Sequence, residues 1–213
     1  MIQTNLLTTE AAARAYTESL ANQEGCERLA CYTAMLLKEN QRQNLISKTS
    51  EQNLWVRHIA DSAQLLEHVD QKGCGDEIPG SWLDLGAGPG LPGLVIAILR
   101  PQIPVILVES RAGRVDFLRQ CVSVLALRNC DIQGERLERV PHFPAWVISA
   151  RAFAPLEKLL RLSAPFSTKQ TRYLLPKGRS AAHELSGLQS SIRSMFHVKP
   201  SLTDADAGII VSK

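Results

Sequence analysis

The spacing of apolar residues divides the chain into two unlike parts. From about residue 10 to 70 the pattern is helical. Thr8 or Thr9 is placed to cap a first helix. A second helix is predicted over 24–42, with Leu29, Tyr32, Thr33, Leu36 and Leu37 at helical spacing. A polar break follows over 43–50. Ser50 then stands as the N-cap of a third helix, whose stripe is Leu54, Trp55, Ile59, Ser62, Leu65, Leu66 and Val69. Gly73, Gly75, Pro79 and Gly80 read as a linker.

Beyond that linker, short apolar runs alternate with helical ones. Strands are predicted over 81–85, 105–108, 130–133, 146–149 and 171–175. Helices are predicted over 94–99, 115–127, 156–166 and 185–192, and 195–198 and 209–211 read as an antiparallel pair closing the sheet. Strands alternating with helices imply parallel pairing and right-handed crossovers. The expected fold class is therefore α/β: a Rossmann-like sheet over 76–213, with an N-terminal helical extension over 1–75 packed on it rather than folding alone.

Composition narrows this little. Hydrophobic residues make up 45% of the 213 positions and charged residues 21%, which suits a globular core and excludes wholesale disorder. A formal net charge of +3 is compatible with a polyanionic partner without requiring one. The five cysteines are odd in number and match no zinc spacing, so no metal is expected; Cys121 and Cys130 read as small core residues. The N-terminus lacks a basic stretch leading into an apolar one, and no apolar run reaches the roughly 20 residues of a membrane span. The expectation is a cytoplasmic protein without a membrane partner, monomeric by default.

The chemistry concentrates after the first strand, in the glycine-rich turn from Gly86 to Gly93. Glycines there permit a tight turn and a close ligand, although such a turn can equally be empty. Asp84 precedes the glycines, where a carboxylate can meet a cationic group or serve merely as a cap. Glu109 ends the next strand, where an acid can accept hydrogen bonds from ribose hydroxyls. Pro89 and Pro92 remove two amide donors from a loop that a pyrophosphate would need. Two strand-end acids and a donor-poor loop suit S-adenosylmethionine better than a dinucleotide. By this argument Asp84, Gly88, Gly90 and Glu109 line one cofactor pocket.

The segment Asp84-Leu-Gly-Ala-Gly-Pro-Gly-Leu-Pro-Gly93 resembles motif I of the RsmG family, also called GidB. The likeness extends over about 44–178. It takes in Asn44-Leu-Ile-Ser47, Trp55-Val-Arg-His-Ile-Ala-Asp-Ser62, Glu109-Ser110, Arg114-Val-Asp-Phe-Leu-Arg119, Ser149-Ala-Arg-Ala-Phe-Ala154 and Pro176-Lys-Gly178. The resemblance implies a class I S-adenosylmethionine-dependent methyltransferase acting on N7 of a guanine in 16S ribosomal RNA of the small subunit. It further implies cofactor contacts at Gly86, Leu91, the Leu137–Glu138 pair and Arg151. Two positions depart from the family's usual pattern: Ala87 replaces a serine or threonine, and Gly113 a lysine. The segment after Gly178 matches little.

Guanine N7 carries a lone pair and no proton, so its methylation needs alignment rather than a general base. No catalytic residue is assigned with certainty; Arg151 is the candidate for positioning substrate or cofactor, by a carboxylate or phosphate contact. Phe153 and Pro155 belong to a base slot or to the core. Arg57, His58, Arg114 and Lys177 are the candidate RNA contacts. Against that, Arg57 and Asp61 stand at helical i,i+4 spacing for an ordinary salt bridge, and His58 suits a buried histidine. Three other readings stay open. A methyltransferase for a small molecule or protein would share the cofactor residues. A nucleotide-binding oxidoreductase would need phosphate donors, and a non-catalytic RNA-binding protein would keep only the fold.

Overall fold

The computed structural model describes residues 6–69 and 80–213. Gly73, Gly75 and Pro79 of the linker lie outside the described residues, as does the 75/76 boundary between extension and sheet. Five strands run parallel: β1 (Ser81–Leu85), β2 (Val105–Val108), β3 (Cys130–Gln133), β4 (Ala145–Ala150) and β5 (Arg172–Gly178). β6 (Phe196–Pro200) and β7 (Gly208–Ser212) complete a seven-stranded sheet of order β3-β2-β1-β4-β5-β7-β6. β7 is antiparallel to both its neighbours, as the sequence pattern led one to expect. The chain steps outward from β1 to β3 and then returns to lay β4 on the other side of β1. That reversal opens a crevice at the carboxyl ends of β1 and β4, where such sheets take ligands.

Alternation along β1 sends its side chains to two cores. Trp82 joins Val95, Ile96, Leu107 and Phe117 on one face, while Leu83 and Leu85 join Val108, Ile148, Leu159 and Phe166 on the other. In the extension, α1 (Glu10–Ser19) is capped by Thr9, whose hydroxyl accepts from the Ala12 amide. Asn22 caps α2 (Gln23–Gln43), and Leu29, Tyr32 and Leu36 of α2 enter the same core as Trp82. They pack over α5 (Gly93–Leu99), every residue of which is buried. A helix apolar all round must be covered on its outer side as well as by the sheet, and α2 and the segment Asp61–Ala63 supply that cover.

Between α2 and the sheet the structure departs from the sequence pattern. Ser47, not Ser50, is the N-cap: its side chain accepts from the Ser50 amide and opens the short α3 (Lys48–Glu51). The Ser50 hydroxyl instead donates to the Ser47 carbonyl. A π-helical stretch, Trp55–Ala60, then leads into α4 (Asp61–Ala63). The widened turn shifts residues around the axis, so the i,i+4 spacing no longer places Arg57 on Asp61. Arg57 reaches Asp204 at 3.0 Å instead. α6 (Ala112–Val124) and α7 (Leu156–Ser163) flank the sheet. The single helix expected over 185–192 is two, α8 (Ala181–Ser186) and α9 (Ser190–Arg193), interrupted at Gly187, a poor helix former.

Candidate active site

The turn after β1 is closed on itself. The Ala87 amide donates to the Val108 carbonyl, and those of Gly90 and Leu91 to the Ala87 carbonyl. The Gly88 amide donates to Glu109 Oε2 at 3.0 Å and the Gly93 amide to Asp84 Oδ2 at 2.9 Å. Pro89 and Pro92 have no amide hydrogen. From Ala87 to Gly93, then, every backbone donor already has a protein acceptor, and none is left over for a phosphate. From the extension, the buried Tyr32 hydroxyl donates to the Pro89 carbonyl at 3.0 Å.

Asp84 is fully buried and works inside this turn. Its Oδ1 accepts from the Ser149 hydroxyl at 2.7 Å, and Ser149 Oγ accepts from the Trp82 indole at 2.8 Å. Burial pushes its carboxyl up to about 6, despite the hydrogen bonds from Ser149 and Gly93 that favour the charged form. Glu109 does two jobs. Besides Gly88, it accepts the Ser110 and Arg111 amides through Oε1, and Arg114 stands 3.7 Å from Oε2. Three of its four lone-pair sites are engaged by amides, which leaves room to accept a hydroxyl.

Among the described residues, two cavities open at the carboxyl ends of the strands. The smaller, about 350 Å³, is walled by Gly86, Glu109, Arg114, Leu137 and Glu138 among others. The larger, about 1050 Å³, is walled by Arg57, His58, Asp61, Arg151, Lys177 and Thr203 among others. Ala152, Phe153 and Ala154 line both, so Phe153 stands on the partition. Ala152 holds a left-handed φ of 53°, which turns the chain into that position. A side chain added at Gly86, whose φ is 65°, would meet the Phe153 ring at 2.7 Å, so the ring sits directly on the glycine.

The predicted site residues thus fall into three groups. Gly86, Glu109, Leu137 and Glu138 come together on the smaller cavity, joined by Arg114, which faces Glu109 there. Arg57, His58, Arg151 and Lys177 come together on the larger. Asp84, Gly88, Gly90 and Leu91 line neither of these two cavities and instead build the turn beneath them. A Cβ on Gly90 would collide with Leu94, so that glycine serves packing within the turn. Gly113, where a basic residue had been expected, is met by Gln43, whose side-chain amide donates to its carbonyl at 3.0 Å.

The polar groups on the larger cavity are mostly paired. Lys177 Nζ is held at 2.9 Å by both Glu184 and the Ala154 carbonyl, and is nearly buried. Asp61 accepts from Gln64 and Thr203, and burial raises its pKa. His58 is bonded at both nitrogens, to Ser50 Oγ and to Arg151. Its pKa is pushed down to about 3, first by burial and then by the charges of Arg151 and Arg57, so the ring is neutral near pH 7. Thr203 and Asp204 had no sequence signal. They lie after Gly178, beyond the stretch on which the sequence resemblance was read, and only the antiparallel return of β7 brings their turn to the cavity.

The family model described as GidB, rRNA small subunit methyltransferase G, matches residues 25–207 of this chain. A ribosomal RNA small subunit methyltransferase G of Erythrobacter litoralis is 52% identical, over 98% of this chain and 98% of its own. One of Sphingopyxis alaskensis is 50% identical, over 97% of this chain and 87% of its own. Among solved structures, a ribosomal protein L11 methylase from Lactobacillus delbrueckii subsp. bulgaricus superposes with a TM-score of 0.54 at 12% identity. That superposition covers 74% of this chain and 78% of the other, and bears on the fold alone.

Proposed function

Because the chain belongs to the GidB family of rRNA small subunit methyltransferases, we propose that it uses S-adenosylmethionine to methylate N7 of a guanine in 16S ribosomal RNA. The observation that carries the cofactor reading is the closed turn. With every donor from Ala87 to Gly93 used within the protein, the loop suits a nucleoside without phosphates rather than a pyrophosphate. This weighs against the oxidoreductase reading.

The smaller cavity fits a nucleoside. Glu109 retains an acceptor site for ribose hydroxyls. Leu137 offers an apolar wall for a base, with Glu138 as an acceptor beside it. Gly86 yields its side-chain position to the Phe153 ring, which closes one wall of this cavity. When bound, S-adenosylmethionine supplies an electrophilic methyl group on a sulfonium. The guanine belongs in the larger cavity, across the Ala152–Ala154 partition. Arg151, at the end of β4, would hold an anion there, the cofactor's carboxylate or an RNA phosphate. His58, neutral and bonded at both nitrogens, has no proton to remove, and N7 has none to give. The residues orient the reactants and exclude water, which is what this transfer asks of them.

Incubating the protein with labelled S-adenosylmethionine and small-subunit RNA, then mapping methylated guanines, tests this directly. Label at N7 of one guanine is expected. Glu109→Ala should weaken cofactor binding by about 1.5–3 kcal/mol, the worth of hydrogen bonds to a charged group. Absence of label in the wild-type reaction, under conditions where the cofactor binds, would overturn the substrate.

A further inference from the structure

We propose that His58 is a positioning residue, whose imidazole fixes the Arg151 guanidinium so that its remaining donors receive a two-oxygen anion in the larger cavity. This rests on the methyltransferase reading above and assigns how that site is held.

The argument starts from which atoms can donate. Arg151 Nη1 lies 3.0 Å from His58 Nδ1. A guanidinium has no acceptor, so it donates and Nδ1 accepts. The ring hydrogen must then be on Nε2, which lies 2.9 Å from Ser50 Oγ. The Ser50 hydroxyl accepts it and donates onward to the Ser47 carbonyl at 2.9 Å. A single directed relay therefore runs from the first turn of α3 through the imidazole to the guanidinium, and each member fixes the next. The π-helical stretch carries His58 to the place where this is possible.

All the protein contacts of this guanidinium fall on one nitrogen. Nη1 also approaches the Arg57 carbonyl at 3.4 Å, and Asp61 Oδ2 stands 3.8 Å away. Among the described residues no acceptor takes up Nε or Nη2. Other cations around this cavity are differently placed: Lys177 is closed by Glu184, Arg57 by Asp204 and Arg179 by Asp206. Arg151 alone of these four is held chiefly by a neutral group. The neutral acceptor orients the guanidinium, the Asp61 carboxylate at 3.8 Å balances its charge only in part, and its planar fork is built for a bidentate carboxylate or phosphate. Arg151 is 22% exposed at its side chain, half-sunk in the wall, so its charge is only partly screened.

The anion has two available sources, the amino-acid carboxylate of the cofactor or a phosphate of the RNA. The test uses His58→Leu, which removes the acceptor, and His58→Asn, whose amide oxygen can stand where Nδ1 stood. Binding of S-adenosylhomocysteine and of 5′-methylthioadenosine, which lacks the amino acid, is measured with the KM for RNA and the Tm. His58→Leu should lose about tenfold or more, the lower range for a charged hydrogen bond, in either S-adenosylhomocysteine affinity or RNA KM. A loss confined to S-adenosylhomocysteine identifies the carboxylate, and a loss confined to RNA identifies a phosphate. 5′-Methylthioadenosine should bind unchanged, and His58→Asn should recover most of the loss. If His58→Leu binds every ligand normally, if His58→Asn is as defective as His58→Leu, or if 5′-methylthioadenosine falls in step with the rest, the role is refuted. Failure of the wild-type protein to bind S-adenosylhomocysteine would refute the methyltransferase reading itself, and this role with it.

Discussion

Gly88 and Gly90 stand two residues apart in one motif and look equivalent in the sequence, yet they are constrained differently. Both have left-handed φ values, 57° and 103°. A Cβ on Gly88 meets nothing closer than the Arg114 guanidinium at 3.7 Å and the Gly86 carbonyl at 3.9 Å, whereas one on Gly90 runs into Leu94. Gly88→Ala is therefore expected to cost about 1–2 kcal/mol, the strain of a left-handed residue. Gly90→Ala should cost clearly more, since Leu94 belongs to the buried α5 and has little room to move. Urea unfolding of the two variants checks this, and equal losses would contradict the placement of Leu94. At this scale the sequence indicates which residue types cluster, but not what each one touches. Asp84 illustrates the limit. Its position before the glycines suggested a ligand contact, and its carboxylate is instead bonded to Ser149 and the Gly93 amide.

The elements were legible where a period of 2 or 3.6 ran undisturbed. The first five strands, α2 and the β6–β7 pair follow the apolar pattern closely because one face of each must be buried. The segment around 47–63 was not legible, because a π-helical turn obeys neither period, and it displaces Arg57 and Asp61 from the partnership their spacing suggests. What α2 does for the site also had no local signal. Tyr32 has the spacing of a core residue, but its hydroxyl crosses 57 positions of sequence to hold the Pro89 carbonyl. Tyr32→Phe removes that bond and strands a buried acceptor, so about 1–3 kcal/mol of stability should be lost. Cofactor affinity should fall as well, because the glycine turn loses its outer support. Calorimetry on the purified variant reads both, and unchanged cofactor affinity would separate the helix from the site.

At the scale of the whole molecule, two buried groups give opposed responses to pH. Asp84 is raised from 3.8 to about 6, so the folded state keeps a proton that the unfolded chain releases. Its stabilising contribution is complete below about pH 4 and is lost as pH rises to about 6. His58 is lowered from 6.5 to about 3, so its contribution is present above pH 6.5 and is lost as pH falls. Between pH 4 and 6 the two slopes oppose each other. Asp84→Asn removes one of them, and the variant should then lose stability on acidification more steeply than the wild type. The extra loss is about 2–3 kcal/mol across that window, since each tenfold difference in proton affinity between folded and unfolded chain is worth about 1.4 kcal/mol. Urea midpoints at pH 4, 5, 6 and 7 measure the difference, and parallel curves for the two proteins would show that Asp84 does not titrate as a buried acid.

The alternation of short apolar strands with helices, and the glycine turn bracketed by Asp84 and Glu109, were determined by the sequence itself. Burial of a parallel sheet on both faces and the tightness of the turn leave few other residues possible there. The division into two cavities by Phe153, the release of Arg57 from Asp61, and the capture of Arg151 by His58 were decided only in three dimensions. Those contacts join residues about 50 to 150 positions apart, and no local period records a partner that the fold brings in from so far along the chain.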